Sequence, residues 1–112
     1  MNISAIKTIK VAGYVYTIRL DMDDALRGSD SSGFNDEATG EIHILSSLGP
    51  QSRRQTLLHE VVHCVVTSYC SGAGDIDEGV IEGISQGVNQ VLRDNPKLVK
   101  FLTAPDAEVS AC

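Results

Sequence analysis

The chain has 112 residues, an apolar fraction of 42% and a formal net charge of −6. This length suits one domain, residues 1–112, and excludes two, and no apolar run approaches the roughly 20 residues of a membrane-spanning helix. The basic residues are scattered, which argues against direct binding of nucleic acid. The N-terminal segment lacks a signal peptide's apolar core, and the three cysteines have no zinc-ribbon spacing, so we expect a cytoplasmic protein with reduced thiols.

The first 47 residues are rich in β-forming side chains. Residues 3–20 are predicted to form two strands around a turn at Ala12-Gly13. Residues 21–33 are acidic and then rich in serine and glycine, which favours a loop, and residues 34–39 begin a further strand or a turn. Residues 41–45 alternate in polarity, which predicts a strand with Ile42 and Ile44 on one face and His43 on the other.

The segment 48–70 is predicted to be a helix. Pro50 suits its first turn, and Ser52 with Gln55 fits a capping box. Glycines that follow Cys70 end the helix. Its circumference is apolar almost all round, apart from a narrow polar or thiol-bearing arc. Such a pattern is typical of a central, buried helix.

The polar arc of this helix contains the pattern His59-Glu60-x-x-His63. Because the two histidines are four residues apart, both imidazoles can face one ion. Glu60 lies about 100° round the axis, where a general base for water belongs. Burying these three polar groups is unfavourable unless something satisfies them. We therefore predict a zinc site, and the alternative is a pair of core histidines hydrogen-bonded to the backbone.

A second helix is predicted over residues 75–95, ended by the Asn95-Pro96 pair. Gly79, Gly83 and Gly87 recur every four residues along it, and each costs roughly 1 kcal/mol against Ala in a helix interior. We expect these glycines to let the metal helix approach closely. One apolar arc of the helix is formed by Val80, Ile81, Ile84, Val88, Val91 and Leu92. Beside it runs a polar stripe of Glu78, Glu82, Ser85 and Asn89.

The remaining residues, 96–112, are predicted to form a tail with about one helical turn.

A catalytic zinc ion normally has three protein ligands and one open position. The third ligand is expected on the second helix, where Glu78 and Glu82 can face the same side. Glu78 is preferred because it lies in the first turn, nearest the helix crossing, and its alternative role is N-terminal capping. Glu82 is the alternative ligand, a supporting residue or an ordinary solvated acid. Cys70 is a distant third candidate, since a buried free thiol is the commoner situation.

Two blocks of the sequence resemble small metallopeptidases encoded by phages and related mobile elements. They are residues 53–63, Arg-Arg-Gln-Thr-Leu-Leu-His-Glu-Val-Val-His, and residues 78–96, which begin Glu-Gly-Val-Ile-Glu-Gly. The family belongs with the zincins whose third ligand is a glutamate, the gluzincins, near the peptidases that cleave immunity repressors. The resemblance covers roughly residues 34–100.

The resemblance implies a zincin-like α+β fold, in which a small, mostly antiparallel sheet packs on a central HExxH helix and a second ligand-bearing helix. It also implies zinc on His59, His63 and Glu78, with Glu60 as the base. Larger gluzincins have Glu-x-x-x-Asp on the second helix, whereas this chain has Glu78-x-x-x-Glu82 at a shorter distance from the second histidine.

Together these features predict zinc-dependent hydrolysis of peptide bonds, with a peptide or protein substrate. Regulatory proteolysis in a phage or mobile element, within the cytoplasm of a bacterial host, follows from the resemblance. One alternative is another zinc amidase such as a deformylase, although no cysteine precedes Cys64 to act as an upstream ligand. A second alternative is a non-catalytic, metal-stabilised binding or structural phage protein with a closed four-ligand site.

The sequence does not assign two further roles expected of such an enzyme, the oxyanion donor and the surface that aligns the substrate. The donor to the oxyanion of the tetrahedral intermediate has four candidates: Tyr14, Tyr16, His43 and Tyr69. A peptide substrate can align by adding a strand to the edge of a sheet. The strand at residues 41–45, just before the metal helix, is the expected edge.

Overall fold

A computed structural model of the protein describes residues 3–21 and 32–108. These residues form a small α+β fold of one four-stranded sheet and three helices. The strands are β1 (Thr8–Val11), β2 (Tyr14–Asp21), β3 (Gly33–Asp36) and β4 (Glu41–Leu45), and the helices are α1 (Pro50–Tyr69), α2 (Glu78–Asp94) and α3 (Pro96–Thr103). Short 3-10 turns occupy Ile3–Ala5, Ser71–Ala73 and Asp106–Glu108. Most of the loop predicted over residues 21–33, and the last four residues of the tail, lie outside the described residues.

The sheet is mixed, with the strand order β1-β2-β4-β3. β1 and β2 form the predicted antiparallel hairpin, and the turn at Ala12 and Gly13 has positive φ angles of 53° and 86°. β2 pairs in parallel with β4, and β3 pairs antiparallel with β4. Two of the three pairings among the described strands are thus antiparallel. Because β4 lies between two strands, the prediction that residues 41–45 form an edge is wrong, and β3 is the edge strand on this side.

One face of the sheet packs against α1. The alternation in β4 places Ile42 and Ile44 on this face with no exposed surface, as predicted. They form the core together with Val11, Tyr16 and Cys64. His43 points to the opposite face, because successive side chains of a strand alternate.

Helix α1 differs from its prediction at its start and in its burial. Its N-cap residue is Gly49, without a side-chain hydrogen bond, so the predicted capping box of Ser52 and Gln55 is wrong. In the described part of the chain, the only α1 residues that are fully buried are Glu60 and Cys64. Other apolar residues remain in contact with water, such as Val65 (39% exposed) and Tyr69 (69% exposed). The helix lies between the sheet and α2, as the predicted central position requires, but the prediction that it is buried is wrong.

Helix α2 begins at Glu78, three residues later than predicted. Asp77 is its N-cap residue and accepts a hydrogen bond from the Gly79 backbone N–H at 2.6 Å. Glu78 therefore lies in the first turn, as expected, but it does not cap the helix. Because Asp77 caps the helix, the Glu78 carboxylate is available to the histidines of α1.

The side of α2 that faces α1 is its polar stripe. Ser85 is fully buried and accepts a hydrogen bond from the Gln55 side chain at 3.0 Å. Asn89 donates to the Gln55 side-chain oxygen at 3.3 Å. Of the predicted apolar arc, Ile81 is buried at 1% exposure. The other members of the arc are exposed, at 37–50%: Val80, Ile84, Val88, Val91 and Leu92.

The α2 glycines do not contact α1, so the predicted close approach there is wrong. A Cβ atom built on Gly83 or Gly87 meets no described atom within 4 Å. Close approach to α1 occurs instead at Gly33 of β3. A Cβ atom there would lie 2.8 Å from the His43 carbonyl oxygen and 2.8 Å from the Thr56 Cγ2 atom. The absence of a side chain at Gly33 thus lets α1 lie directly against the edge strand.

Helix α3 is longer than the single turn predicted for the tail, since Pro96 starts an eight-residue helix directly after Asn95. Within residues 3–21 and 32–108, no helix combines the length and the apolar character needed to cross a membrane.

Candidate metal centre

The two histidines of α1 lie side by side above the junction with α2. Their ring centroids are 4.9 Å apart, as the four-residue spacing requires, and the rings are tilted by 56°. The side chain of His59 is 16% exposed and that of His63 is 34% exposed. Both rings are therefore partly withdrawn from water while one side remains open.

Glu78 of α2 completes a group of three potential ligands. Its Oε1 atom lies 2.5 Å from His59 Nε2 and 3.2 Å from His63 Nε2. One potential ligand atom of each residue lies within 4.8 Å of the other two. Donors bound to one zinc ion at 2.0–2.2 Å in a tetrahedron lie roughly 3.3 Å apart. The structure brings together His59, His63 and Glu78, the three ligands predicted from the sequence. Their role as ligands stays a prediction.

Glu82 contacts the same histidine from the other side. Its Oε2 atom meets His59 Nδ1, and Gln86 holds its Oε1 atom with a 2.8 Å hydrogen bond. Both ring nitrogens of His59 thus face carboxylate oxygens, of Glu78 and Glu82. A neutral imidazole has one N–H group, so either a second proton or a cation must balance one of the two contacts. A metal at Nε2, with Nδ1–H donating to Glu82, is the arrangement that commonly orients histidine ligands.

Glu60 is buried beside the histidines, with 6% of its surface exposed. Asn35 of β3 donates from its side-chain nitrogen to Glu60 Oε1 at 3.0 Å and to the Glu60 carbonyl oxygen at 3.1 Å. The Asn35 Oδ1 atom accepts a hydrogen bond from the Cys64 thiol at 3.2 Å. Asn35 therefore joins the edge strand to α1 at Glu60 and Cys64, and it was not among the residues singled out from the sequence. The available signal was a polar side chain opposite the core residue Ile42.

The charges of the site are strongly coupled. Burial raises the pKa of Glu60 above its ordinary value, although the nearby His63 and His59 oppose this. Burial by itself lowers the pKa of His59, but the hydrogen bonds with Glu82 and Glu78 outweigh it, and the pKa is raised. For Glu78, burial is opposed by the hydrogen bonds to both histidines, which lower its pKa. The pair of His59 and Glu78 thus favours the charged forms, whereas Glu60 is held in an environment that favours proton uptake.

These groups line an open cleft of about 740 Å³ between β3, α1 and α2. The described lining residues include all five residues singled out from the sequence, His59, Glu60, His63, Glu78 and Glu82. Other polar side chains on its walls are Asn35, Glu37, Ser52, Gln55, Thr56 and Thr67. Cys70 and the four candidate oxyanion donors are not among the described lining residues. The cleft has room for an extended ligand beside the edge strand.

A second group of ionisable residues lies on the opposite face of the sheet. Asp36, Glu41 and His43 approach one another within 4.8 Å. Glu41 is held by Arg19 through an Nε–Oε2 contact of 2.6 Å, and His43 Nδ1 pairs with Asp21. Asp36 Oδ1 accepts hydrogen bonds from the Ala38 and Thr39 backbone N–H groups at 3.1 and 3.3 Å, so each member of this group already has a partner within the chain.

The centre on α1 and α2 combines two imidazoles and one carboxylate, with ligand atoms within 4.8 Å of one another, and a buried carboxylate alongside. Such a set can hold a divalent cation and can exchange protons with a molecule bound in the cleft. No family model, no curated protein and no solved structure matches the chain.

Proposed function

We propose that the protein is a minimal zinc-dependent peptidase of the gluzincin type, with His59, His63 and Glu78 as zinc ligands and Glu60 as the general base. The observation that carries the proposal is the convergence of Glu78 Oε1 on the Nε2 atoms of both histidines, within an open cleft. The resemblance to phage-encoded metallopeptidases adds regulatory proteolysis in a phage or mobile element to this proposal.

The donor set supports zinc in particular. Two neutral imidazoles and one carboxylate are typical ligands of catalytic zinc, and three protein ligands leave a position open to water and substrate. When bound, zinc supplies a Lewis acid that polarises a carbonyl group and lowers the pKa of water. Glu82 then keeps His59 in the tautomer that presents Nε2, through the contact at Nδ1.

Glu60 is suited to accept a proton from the attacking water. Its raised pKa makes it a stronger base than an exposed carboxylate, and its burial keeps bulk water away. The hydrogen bond from Asn35 to Oε1 holds the carboxylate in one orientation. Its other oxygen, Oε2, is then available for the proton, which Glu60 can deliver to the leaving amine.

The edge strand β3 supports a peptide as the substrate. Gly33, Phe34, Asn35 and Glu37 all line the cleft, so the cleft follows the edge of the sheet. An extended peptide can add to such an edge through backbone hydrogen bonds, which would lay its scissile bond beside the histidines.

Two observations weigh against the rival functions. A closed structural zinc site needs four protein ligands, whereas the group found in the described residues has three and faces an open cleft. A deformylase-like site would take a cysteine ligand from an upstream strand, and the chain has no cysteine before Cys64.

The test combines zinc content with hydrolysis of a library of short peptides, read by mass spectrometry. The zinc-loaded protein should hold one zinc ion per chain and generate cleavage products. Glu60→Gln should retain zinc and lose at least about 10²–10⁴-fold in rate, since glutamine cannot accept the proton. His59→Ala and His63→Ala should lose most of the zinc. Full zinc retention in both histidine variants, or undiminished cleavage by Glu60→Gln, would overturn the proposal.

A further inference from the structure

The described walls of the cleft carry carboxylates and neither lysine nor arginine. The acidic residues that line it are Glu37, Glu60, Glu78 and Glu82. The whole chain has the same sign, with a formal net charge of −6. A zinc ion offsets two negative charges, which is fewer than the lining carboxylates supply. Because a cleft with walls of one sign concentrates ligands of the opposite sign, this cleft favours a cationic ligand.

Glu37 is the lining carboxylate whose charge no described group offsets. Glu78 and Glu82 contact the histidines of α1, and Glu60 accepts a hydrogen bond from Asn35. The Glu37 carboxylate has no hydrogen bond and no ion pair within the part of the chain that the structure describes. Glu37 is the exposed residue directly after β3. A ligand can therefore reach its carboxylate without breaking a contact within the described chain.

The position of Glu37 follows from the way β3 runs along α1. Gly33 lies against Thr56, and Asn35 contacts Glu60, one helical turn further along α1. Glu37 follows Asn35 by two residues, which is about 6–7 Å in an extended chain. It thus lies on the far side of Glu60 from Gly33. The described lining residues around Gly33 are uncharged: Ser32, Ser52, Gln55 and Thr56.

We infer that the cleft selects a peptide with a lysine or arginine side chain near the scissile bond, and that Glu37 binds this side chain. The inference rests on the proposed peptidase function and adds the substrate class to it. An extended peptide along β3 with its scissile bond at Glu60 brings a residue about two positions away beside Glu37. Lysine and arginine form charge-assisted hydrogen bonds with a carboxylate. Because Glu37 lies to one side of Glu60, the basic residue should be required on one side of the scissile bond only.

The test measures binding and cleavage with matched peptides. Each peptide has blocked ends, an uncharged sequence and one lysine, norleucine or glutamate at a position that is moved along it. Binding is measured by fluorescence anisotropy on the zinc-loaded Glu60→Gln protein, so that the result does not depend on hydrolysis. Cleavage of the same peptides by the unaltered protein gives kcat/KM.

We expect lysine to be preferred over norleucine, and norleucine over glutamate. An exposed ion pair contributes up to about fivefold in affinity. The walls of the cleft exclude part of the water and strengthen the pair, so we expect about 5–10-fold for lysine over norleucine. The preference should fall towards one at about 1 M salt, where charges are screened within about 3 Å.

Variants of Glu37 identify the source of the preference. Glu37→Gln should remove the preference for lysine, and Glu37→Lys should reverse it in favour of glutamate. Both should retain zinc, which separates loss of this contact from loss of the metal centre. The matched control is Asp106→Asn, which removes one negative charge from an exposed residue outside the described lining of the cleft. This control should keep the full preference.

The binding and cleavage results separate this inference from the proposed function. Equal binding of lysine and norleucine peptides would overturn the inference, and cleavage of both would leave the peptidase function standing. A preference for lysine in binding, without cleavage of any peptide, would support the role of Glu37 and count against the peptidase. Absence of binding would overturn the inference. So would a preference that survives Glu37→Gln, or one that Asp106→Asn removes equally.

Discussion

The assignment of Glu78 and Glu82 to different roles can be tested by their effects on zinc affinity. Glu78 Oε1 lies 2.5 Å and 3.2 Å from the Nε2 atoms of His59 and His63, whereas Glu82 contacts His59 at Nδ1. Only Glu78 is therefore shared between the two histidines. We predict that Glu78→Ala weakens zinc binding much more than Glu82→Ala does.

The two losses differ in size because they remove different interactions. Structural zinc sites with four protein ligands bind the ion with a free energy of about 10–16 kcal/mol. Divided equally, this is about 2.5–4 kcal/mol for each ligand, or about 100–1000-fold in affinity. Loss of a hydrogen-bond partner of a histidine ligand costs about 10–100-fold. Because the Glu82 side chain is 41% exposed, water can partly replace it, and we expect the lower limit, about tenfold.

The assay is a competition titration against a chromophoric zinc chelator, at constant pH and ionic strength. Glu37→Ala is the matched control. It removes one negative charge from the same cleft, and no described hydrogen bond or ion pair joins Glu37 to either histidine. It should change the affinity only a few-fold. Circular dichroism of each variant checks that the helices remain.

Two results would refute this reasoning. If Glu82→Ala weakened zinc binding as much as Glu78→Ala, or more, then Glu82 would be the ligand. If Glu37→Ala matched Glu78→Ala, the effect would come from the charge of the cleft and from no specific ligand.

Three further predictions concern the base, the contact with β3 and the effect of pH. Asn35→Ala should lower kcat of the proposed peptide hydrolysis about tenfold with little change in KM or zinc content, because Glu60 loses the hydrogen bond that orients it. An unchanged kcat would exclude this role. Gly33→Ala should cost about 1–3 kcal/mol in urea unfolding, because its methyl group would overlap β4 and α1, whereas Gly83→Ala should not destabilise the chain. The contacts of protonated His59 with Glu82 and Glu78 raise its pKa above 6.5. The stability that these contacts add is therefore fully present below pH 6.5 and is lost as the pH rises through the raised pKa. Zinc needs the neutral imidazole, so the increase in Tm caused by zinc should grow from acidic to neutral pH, and a constant increase would contradict the assignment.

Much of the candidate site follows from local geometry that the sequence contains. His59 and His63 share a face of α1 because a helix repeats about every 3.6 residues, whatever surrounds it. Ile42 and Ile44 share a face of β4 for the corresponding reason, since strand side chains alternate. The cap at Asp77 places Glu78 in the first turn of α2, as predicted, although the helix begins three residues later than the sequence indicates.

Contacts between distant segments were decided by the tertiary structure alone. Asn35 meets Glu60 because β3 is the edge strand under α1, and strand order depends on pairing between segments far apart in sequence. The rotation of α2 about its own axis differs more from what the sequence predicts. Its amphipathic pattern shows that one side differs from the other, but the pattern does not say which side faces α1. In the folded chain, hydrogen bonds from Gln55 to Ser85 and from Asn89 to Gln55 hold the polar side inward. The same rotation carries the carboxylates of α2 to the histidines and leaves most of its apolar arc in contact with water.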